Sequence, residues 1–154
     1  VERLRHRARI YGLRLRALRI LASGAQTRQT LRRKLSARAA QPSDVEEVLE
    51  RLLEEGRLDD RAFAREWLSR RLERRPQGRG PLLAGLLRRG VAREPAEEAL
   101  RELLSPEVER RSLLALVRKL RGRSGMNPDR LLKILLARGF RRAAVREVLA
   151  EPPD

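Results

Sequence analysis

The residues that could perform covalent or acid–base chemistry are few. The 154-residue chain contains no Cys and a single His, His6. That leaves no thiolate nucleophile, no disulfide frame, no thiolate or His-built metal site and no Ser-His-Asp triad. Asp59-Asp60 could form a metal-binding or acid–base pair, but no other clustered acid or His has a spacing that completes a site. As helix N-caps the two need no further explanation. The loop Pro76-Gln77-Gly78-Arg79-Gly80 is basic and precedes a helix N-terminus, where free amides and the helix dipole favour phosphate. It lacks the spacing of either glycine-rich nucleotide fingerprint, so it reads as a plain turn or as a contact to backbone phosphate or an acidic partner. Trp67 could stack on a base. Its spacing from Phe63 and Leu68, with only four aromatics in the chain, favours core packing instead.

What the chain has in abundance is positive charge. Lys plus Arg number 37 against 21 acids, a net charge of +16. A partner of negative charge is expected: nucleic acid, an acidic protein surface or anionic lipid. The surplus is segregated. Segments 1–41, 61–93 and 110–143 carry +11, +8 and +10, while 42–60, 94–109 and 144–154 carry −6, −5 and −2. Clusters stand at Arg32-Arg33-Lys34, Arg70-Arg71, Arg74-Arg75, Arg88-Arg89 and Arg141-Arg142. The arginine-rich, acid-poor opening shares its composition with a transit peptide, but helical patterning with a core face begins near Leu13. No apolar run approaches the ~18 residues of a membrane span.

The elements that must position these charges are helical. Leu, Ala, Arg and Glu dominate, and alternating β-branched runs are absent. Capping signals mark the boundaries: Thr27, a Ser43-x-x-Glu46 capping box, Asp59 or Asp60, and the pairs Gly80-Pro81, Ser105-Pro106 and Asn127-Pro128. Gly56, Gly90 and Gly139 suit the left-handed position just past a helix end. Nine helices are predicted, at about 13–22, 27–38, 43–55, 60–75, 81–89, 94–104, 106–121, 128–138 and 141–149. They repeat in threes. Leu83, Leu87, Gly90 and Val91 recur at an offset of 49 as Leu132, Leu136, Gly139 and Phe140, and Ala96, Ala99 and Leu100 recur as Val145, Val148 and Leu149. Leu31, Leu35, Val45, Val48 and Leu49 give the same pattern with a longer loop. The expected organisation is a basic extension at 1–12, three-helix units at 13–58, 60–104 and 106–150, and a tail at 151–154. The fold class is all-α: three tandem, helix-turn-helix-like repeats in an elongated, curved array without β-sheet.

In this frame the sequence resembles the RecX family of bacterial RecA regulators. The most specific stretch is Gly56-Arg57-Leu58-Asp59-Asp60-Arg61-Ala62-Phe63-Ala64-Arg65. It is followed by Arg70-Arg71 and by Gly80-Pro81-Leu82-Leu83-Ala84-Gly85-Leu86-Leu87-Arg88-Arg89-Gly90-Val91. The first unit contributes Arg16-Ala17-Leu18-Arg19-Ile20-Leu21-Ala22, Thr27 and Leu31-Arg32-Arg33-Lys34-Leu35. The third unit matches by pattern only. Gly85 lies inside a helix, where it costs ~1 kcal/mol relative to Ala.

The resemblance implies a non-enzymatic, cytoplasmic, monomeric protein without cofactor or metal. It would bind the RecA filament and limit filament growth, ATP hydrolysis, strand exchange and coprotease activity in recombination and the SOS response, with DNA held on a basic surface. The rival reading is a basic helical DNA-binding protein acting alone. In either case the expected contact residues lie in the central and third units: Arg70, Arg71, Arg74, Arg75, Arg79, Arg88, Arg89, Lys119, Arg121, Arg123, Arg138, Arg141 and Arg142. With Phe63, Trp67 and Leu68 turned inward, the arginines of their helix should project outward.

Overall fold

The computed structural model describes residues 1–152, and among them the only regular secondary structure is nine α-helices. These are α1 (Glu2–Ser23), α2 (Arg28–Ser36), α3 (Pro42–Glu54), α4 (Asp60–Arg74), α5 (Arg79–Arg88), α6 (Arg93–Leu103), α7 (Pro106–Arg121), α8 (Pro128–Ala137) and α9 (Arg142–Ala150). Buried side chains form three separate aliphatic cores. Ile10, Leu31, Val48 and Leu49 belong to the first, Leu68, Leu82, Leu86 and Leu100 to the second, and Leu113, Leu131, Leu135 and Val145 to the third. The extensive helix contacts lie within units, α1 and α2 on α3, α4 and α5 on α6, and α7, α8 and α9 on one another. The chain is therefore extended. It exposes 10226 Å² at 17.7 kDa, against about 7,900 Å² for a compact protein of that mass.

The 49-residue offset holds, but the innermost row of the middle helices lies one position earlier than the recurring Leu83, Leu87, Leu132 and Leu136. Leu82 and Leu86, then Leu131 and Leu135, are buried, and those four leucines are half-buried beside them. Gly56, Gly90 and Gly139 adopt φ of 69°, 87° and 82°, as expected of residues closing a helix.

Three boundaries differ from expectation. Residues 1–12 are not an extension but the first half of α1. Ile10 enters the core, and Asp44, buried in α3, receives Arg9 Nε at 2.8 Å and lies 3.3 Å from His6 Nδ1. α3 starts at Pro42 rather than after Ser43, because proline at the first helical position already has the helical φ and no amide to satisfy. Ser43 therefore lies inside the first turn, and Glu46 is held by Arg32 Nε and Nη2 at 2.6 and 3.0 Å instead of closing a box. α5 starts at Arg79 after Gly78, so Gly80 and Pro81 are in its first turn, where a missing amide costs nothing. At α4 the expected start holds, and of the two candidate caps Asp59 acts, accepting from the Arg61 and Ala62 amides. Asp60 instead accepts from the Arg28 amide at 2.8 Å, at the start of α2. Of the expected tail, residues 153 and 154 lie outside the described residues, and Glu151 pairs with Arg110.

That Asp60 bond is part of a joint between units that recurs. The end of α5 meets the start of α2: the Thr27 hydroxyl, which caps α2 by accepting from the Thr30 amide, also donates to the Arg89 carbonyl at 2.7 Å. The end of α8 meets the start of α5 in the same way. The Gly78 amide donates to the Arg138 carbonyl at 2.9 Å, and Gly139 packs on Pro81. In both joints the residue just before the left-handed glycine supplies the acceptor, and the residue capping the preceding unit's middle helix supplies the donor. A Cβ on Gly78 would press on the Gly139 carbonyl and lie 2.6 Å from the Phe140 nitrogen, backbone on both counts.

Two outcomes follow from these joints. Gly78 has φ −78° and ψ 178°, which alanine adopts freely, so Gly78→Ala tests the close approach alone. It should lower stability by about 1–3 kcal/mol and enlarge the radius of gyration by small-angle scattering. Wild-type values in both measurements would show that the joint has slack. For Asp60, burial pushes the carboxyl above its ordinary range, opposed by the Arg28 amide and charge. The folded chain thus binds this proton more tightly than the unfolded one. The cost of holding the carboxylate is in force above the folded value and fades as pH falls toward about 3.9. Asp60→Asn keeps the acceptor and loses the titration. Urea melts should therefore show the stability difference moving in favour of the wild type between about pH 7 and about pH 4; a constant difference would refute the desolvation argument.

Candidate functional site

Several arginines of the first unit pair with acids of α3 or its C-cap. Arg14 forms a fork with Glu55 at 2.7 and 2.9 Å, and Arg28 and Arg32 converge on Glu46. These hydrogen bonds hold the Glu46 and Glu55 carboxyls below their ordinary range, Glu46 chiefly through Arg32 and Glu55 through Arg14. In the second unit the acids of α6 do the same for Arg61 and Arg65, which meet Glu98 and Glu102 at 2.6 and 4.0 Å. The acidic third helix of each of these units is thus a scaffold for its own arginines.

The thirteen expected contact residues divide accordingly. Arg70 pairs with Glu66 one turn back, Arg79 reaches Glu97 at 3.7 Å, and Arg141 meets the buried Glu109 at 3.1 Å. Arg71 and Arg89 lie against Trp67: their guanidiniums are 5.8 and 4.8 Å from its ring centre, although Arg89 is itself exposed. Arg71 Nε also donates to Gln77 and Arg89 Nη1 to the Gly85 carbonyl. Arg71 is therefore half-buried rather than projecting, unlike Arg70, Arg74 and Arg75, which are exposed. Trp67 is half-buried, and its Cη2 would lie 2.6 Å from a Cβ at position 85, which accounts for a glycine inside α5. Arg88 and Arg142 are exposed singly, and Arg121 lines two clefts on the third unit.

The remaining five converge. Arg74 and Arg75 at the end of α4, Lys119 and Arg123 on and just past α7, and Arg138 at the end of α8 line one cleft of about 410 Å³ between the second and third units. Its floor is Pro76, Ala115, Leu116 and Leu120, and its acid is Glu73. α7 builds its wall by helical spacing: Leu116 and Leu120 turn into the third core, and Lys119 and Arg123 follow on the adjacent face toward α4. Arg138 belongs both to the cleft and to the joint, its Nη1 being 3.5 Å from the Pro76 carbonyl. Among the described residues, Arg74, Arg75, Lys119 and Arg123 form no ion pair. Like charges crowded over an apolar floor focus a positive potential and suit a carboxylate or phosphate fork.

A second basic groove is absent from the sequence expectations. Arg9, Arg16, Arg19 and Arg38 line it, with Asp44 at its base, between α1 and the loop before α3. The Arg16 Nε is buried there without a hydrogen-bond partner. The signal that could find it is the near absence of acids from 1–41. Treating 1–12 as an extension rather than as helix hides that signal.

The family model described as "RecX, second three-helix domain" matches residues 59–100. The chain is 40% identical over 134 residues to the regulatory protein RecX of Treponema pallidum (strain Nichols), a match covering 87% of this chain and 81% of that one. It belongs to the RecX family. It is also 40% identical to the regulatory protein RecX of Thermus thermophilus, across 80% of each chain. Crystal structures of RecX share the fold. That of Lactobacillus salivarius superposes with a TM-score of 0.85 over 92% of this chain and 95% of the other at 20% identity, and another regulatory protein RecX with 0.84 over 97% and 76% at 21%. The RecX match at 59–100 spans the middle unit, from the capping Asp59 through most of α6, and contains the Trp67–Gly85 contact.

The split between arginines that contact Trp67 and those without a hydrogen bond, ion pair or ring contact among the described residues has a direct consequence. Arg89→Ala should cost about 0.5–2 kcal/mol through loss of the ring contact, whereas Arg74→Ala should stay within about 0.5 kcal/mol of wild type. Equal effects in chemical denaturation would contradict the division.

Proposed function

We propose that this RecX-family chain is a non-enzymatic negative regulator of a RecA recombinase. It binds the RecA–DNA filament and limits filament growth, ATP hydrolysis, strand exchange and coprotease activity in recombination and the DNA-damage response. The observation that carries the reading is the cleft lined by Arg74, Arg75, Lys119, Arg123 and Arg138, in which the first four are exposed and form no ion pair among the described residues. Acidic filament surface or DNA phosphate meets that cleft, and the flanking Arg70, Arg79, Arg88, Arg121, Arg141 and Arg142 extend the positive field. Three units in a row allow one chain to touch more than one filament subunit, so binding either obstructs the next subunit or stabilises a strained arrangement of those present. No bond is made or broken by the regulator.

The rival, a DNA reader acting alone, would place a helix of a three-helix unit in the major groove. The third helices of the first two units are poor candidates, because α3 and α6 carry Asp44, Glu46, Glu47 and Glu50, and Glu94, Glu97, Glu98 and Glu102.

The test is RecA ATPase on single-stranded DNA with the protein titrated in at two ionic strengths. Wild type should inhibit, and Arg74→Ala/Arg75→Ala/Lys119→Ala/Arg123→Ala should need about tenfold more protein at low salt, with a smaller salt dependence. A well-folded quadruple variant of undiminished potency would remove the cleft from the interface. Tight DNA binding with no effect on RecA would favour the rival.

A further inference from the structure

The first helix carries two apolar faces, and only one of them is used. Ile10, Leu13 and Ala17 turn inward to the core. The large hydrophobic side chains that the described residues leave exposed are Val1, Leu4, Tyr11 and Leu15, at 87, 71, 64 and 38%. All four lie on α1 or at its cap. With the exposed Ala8 they occupy positions 1, 4, 8, 11 and 15, an alternation of three and four residues. At ~100° per residue this row lies opposite Ile10, Leu13 and Ala17, and at one edge Ala8 and Leu15 border the groove toward the loop before α3. It is the spacing of a helix–helix seam, running over about 21 Å from Val1 to Leu15.

Charge decides what covers the seam. Arg3 and Arg7 flank it on one side and Arg5 and Arg19 on the other, and all four are exposed without an ion pair among the described residues. Two copies of α1 laid together would bring arginine against arginine along both edges, which disfavours a second copy. A lipid surface is met by a broad apolar face, whereas this one is a single seam wide. We infer that the outer face of α1 docks a helical segment of a partner protein, one that presents apolar side chains at seam spacing flanked by Asp and Glu. This surface is separate from the cleft between the second and third units and requires nothing of the reading above.

A synthetic peptide about three heptads long, with Leu at the seam positions and Glu on both flanks, serves as the probe. Titrated into the full chain and followed by fluorescence anisotropy, it should bind, and its counterpart with Lys on the flanks should bind at least about tenfold more weakly. Leu4→Ser/Tyr11→Ser should weaken the Glu peptide about tenfold with an unchanged thermal midpoint. Arg7→Gln/Arg19→Gln should weaken it and reduce its salt dependence. Absence of binding, equal binding of the two peptides, or full affinity in the Leu4→Ser/Tyr11→Ser variant would overturn the inference. So would sedimentation as a dimer through this face, or tighter binding to phosphatidylglycerol vesicles than to the Glu peptide.

Discussion

Everything in this molecule depends on a backbone approach too close to admit a side chain. Where one unit meets the next, the left-handed glycine ending a middle helix lies against the start of the preceding middle helix, and a carbonyl one residue earlier accepts a hydrogen bond across the gap. Hydrophobic burial explains each unit but not their order in space, because the three cores are separate. The joints set that order with a few directional bonds. They also exploit the geometry of helix ends, since the unpaired carbonyls closing one helix meet the unpaired amide or capping hydroxyl opening another. The basic cleft exists because the second joint holds α7 and α8 beside the end of α4.

Charge then separates by use. Acids of α3 and α6 bind arginines of the first two helices of their own units and tie those units together. Exposed pairs of this kind contribute little stability individually, but they remove arginines from the pool that can face a partner. A chain of net charge +16 thereby focuses its free cations at a few places instead of spreading them over the surface.

Helix content, the grouping in threes and the closing glycines are legible in the sequence because they follow from local rules: helical period, caps and the left-handed conformation. The departures share one physical cause. Ser43 is drawn into the first turn by Pro42 ahead of it, Gly80 loses the cap to Gly78, and Asp60 serves the start of a helix in another unit. Each is a local signal overruled by a neighbour or a partner distant in sequence. The functional residues are legible as a charge class but not as a site. Arg71 and Arg89 cannot be told from Arg74 and Arg75 without knowing where Trp67 points, and Arg138 enters the cleft from 63 positions beyond Arg75. In the first twelve residues, arginine density obscures an apolar row on the outward side of the helix.

The separation of the cores has a consequence for how the chain comes into being and how it fails. Each unit closes from one consecutive stretch of about 45–60 residues, so the first can complete while the rest is still being synthesised, and folding needs little long-range search. Unfolding need not be all-or-none either, because losing one core forfeits only a narrow boundary with its neighbour. Damage at a joint would therefore spare the helices and abolish reach, giving a protein that looks native by helix content and has lost the fixed spacing between its parts.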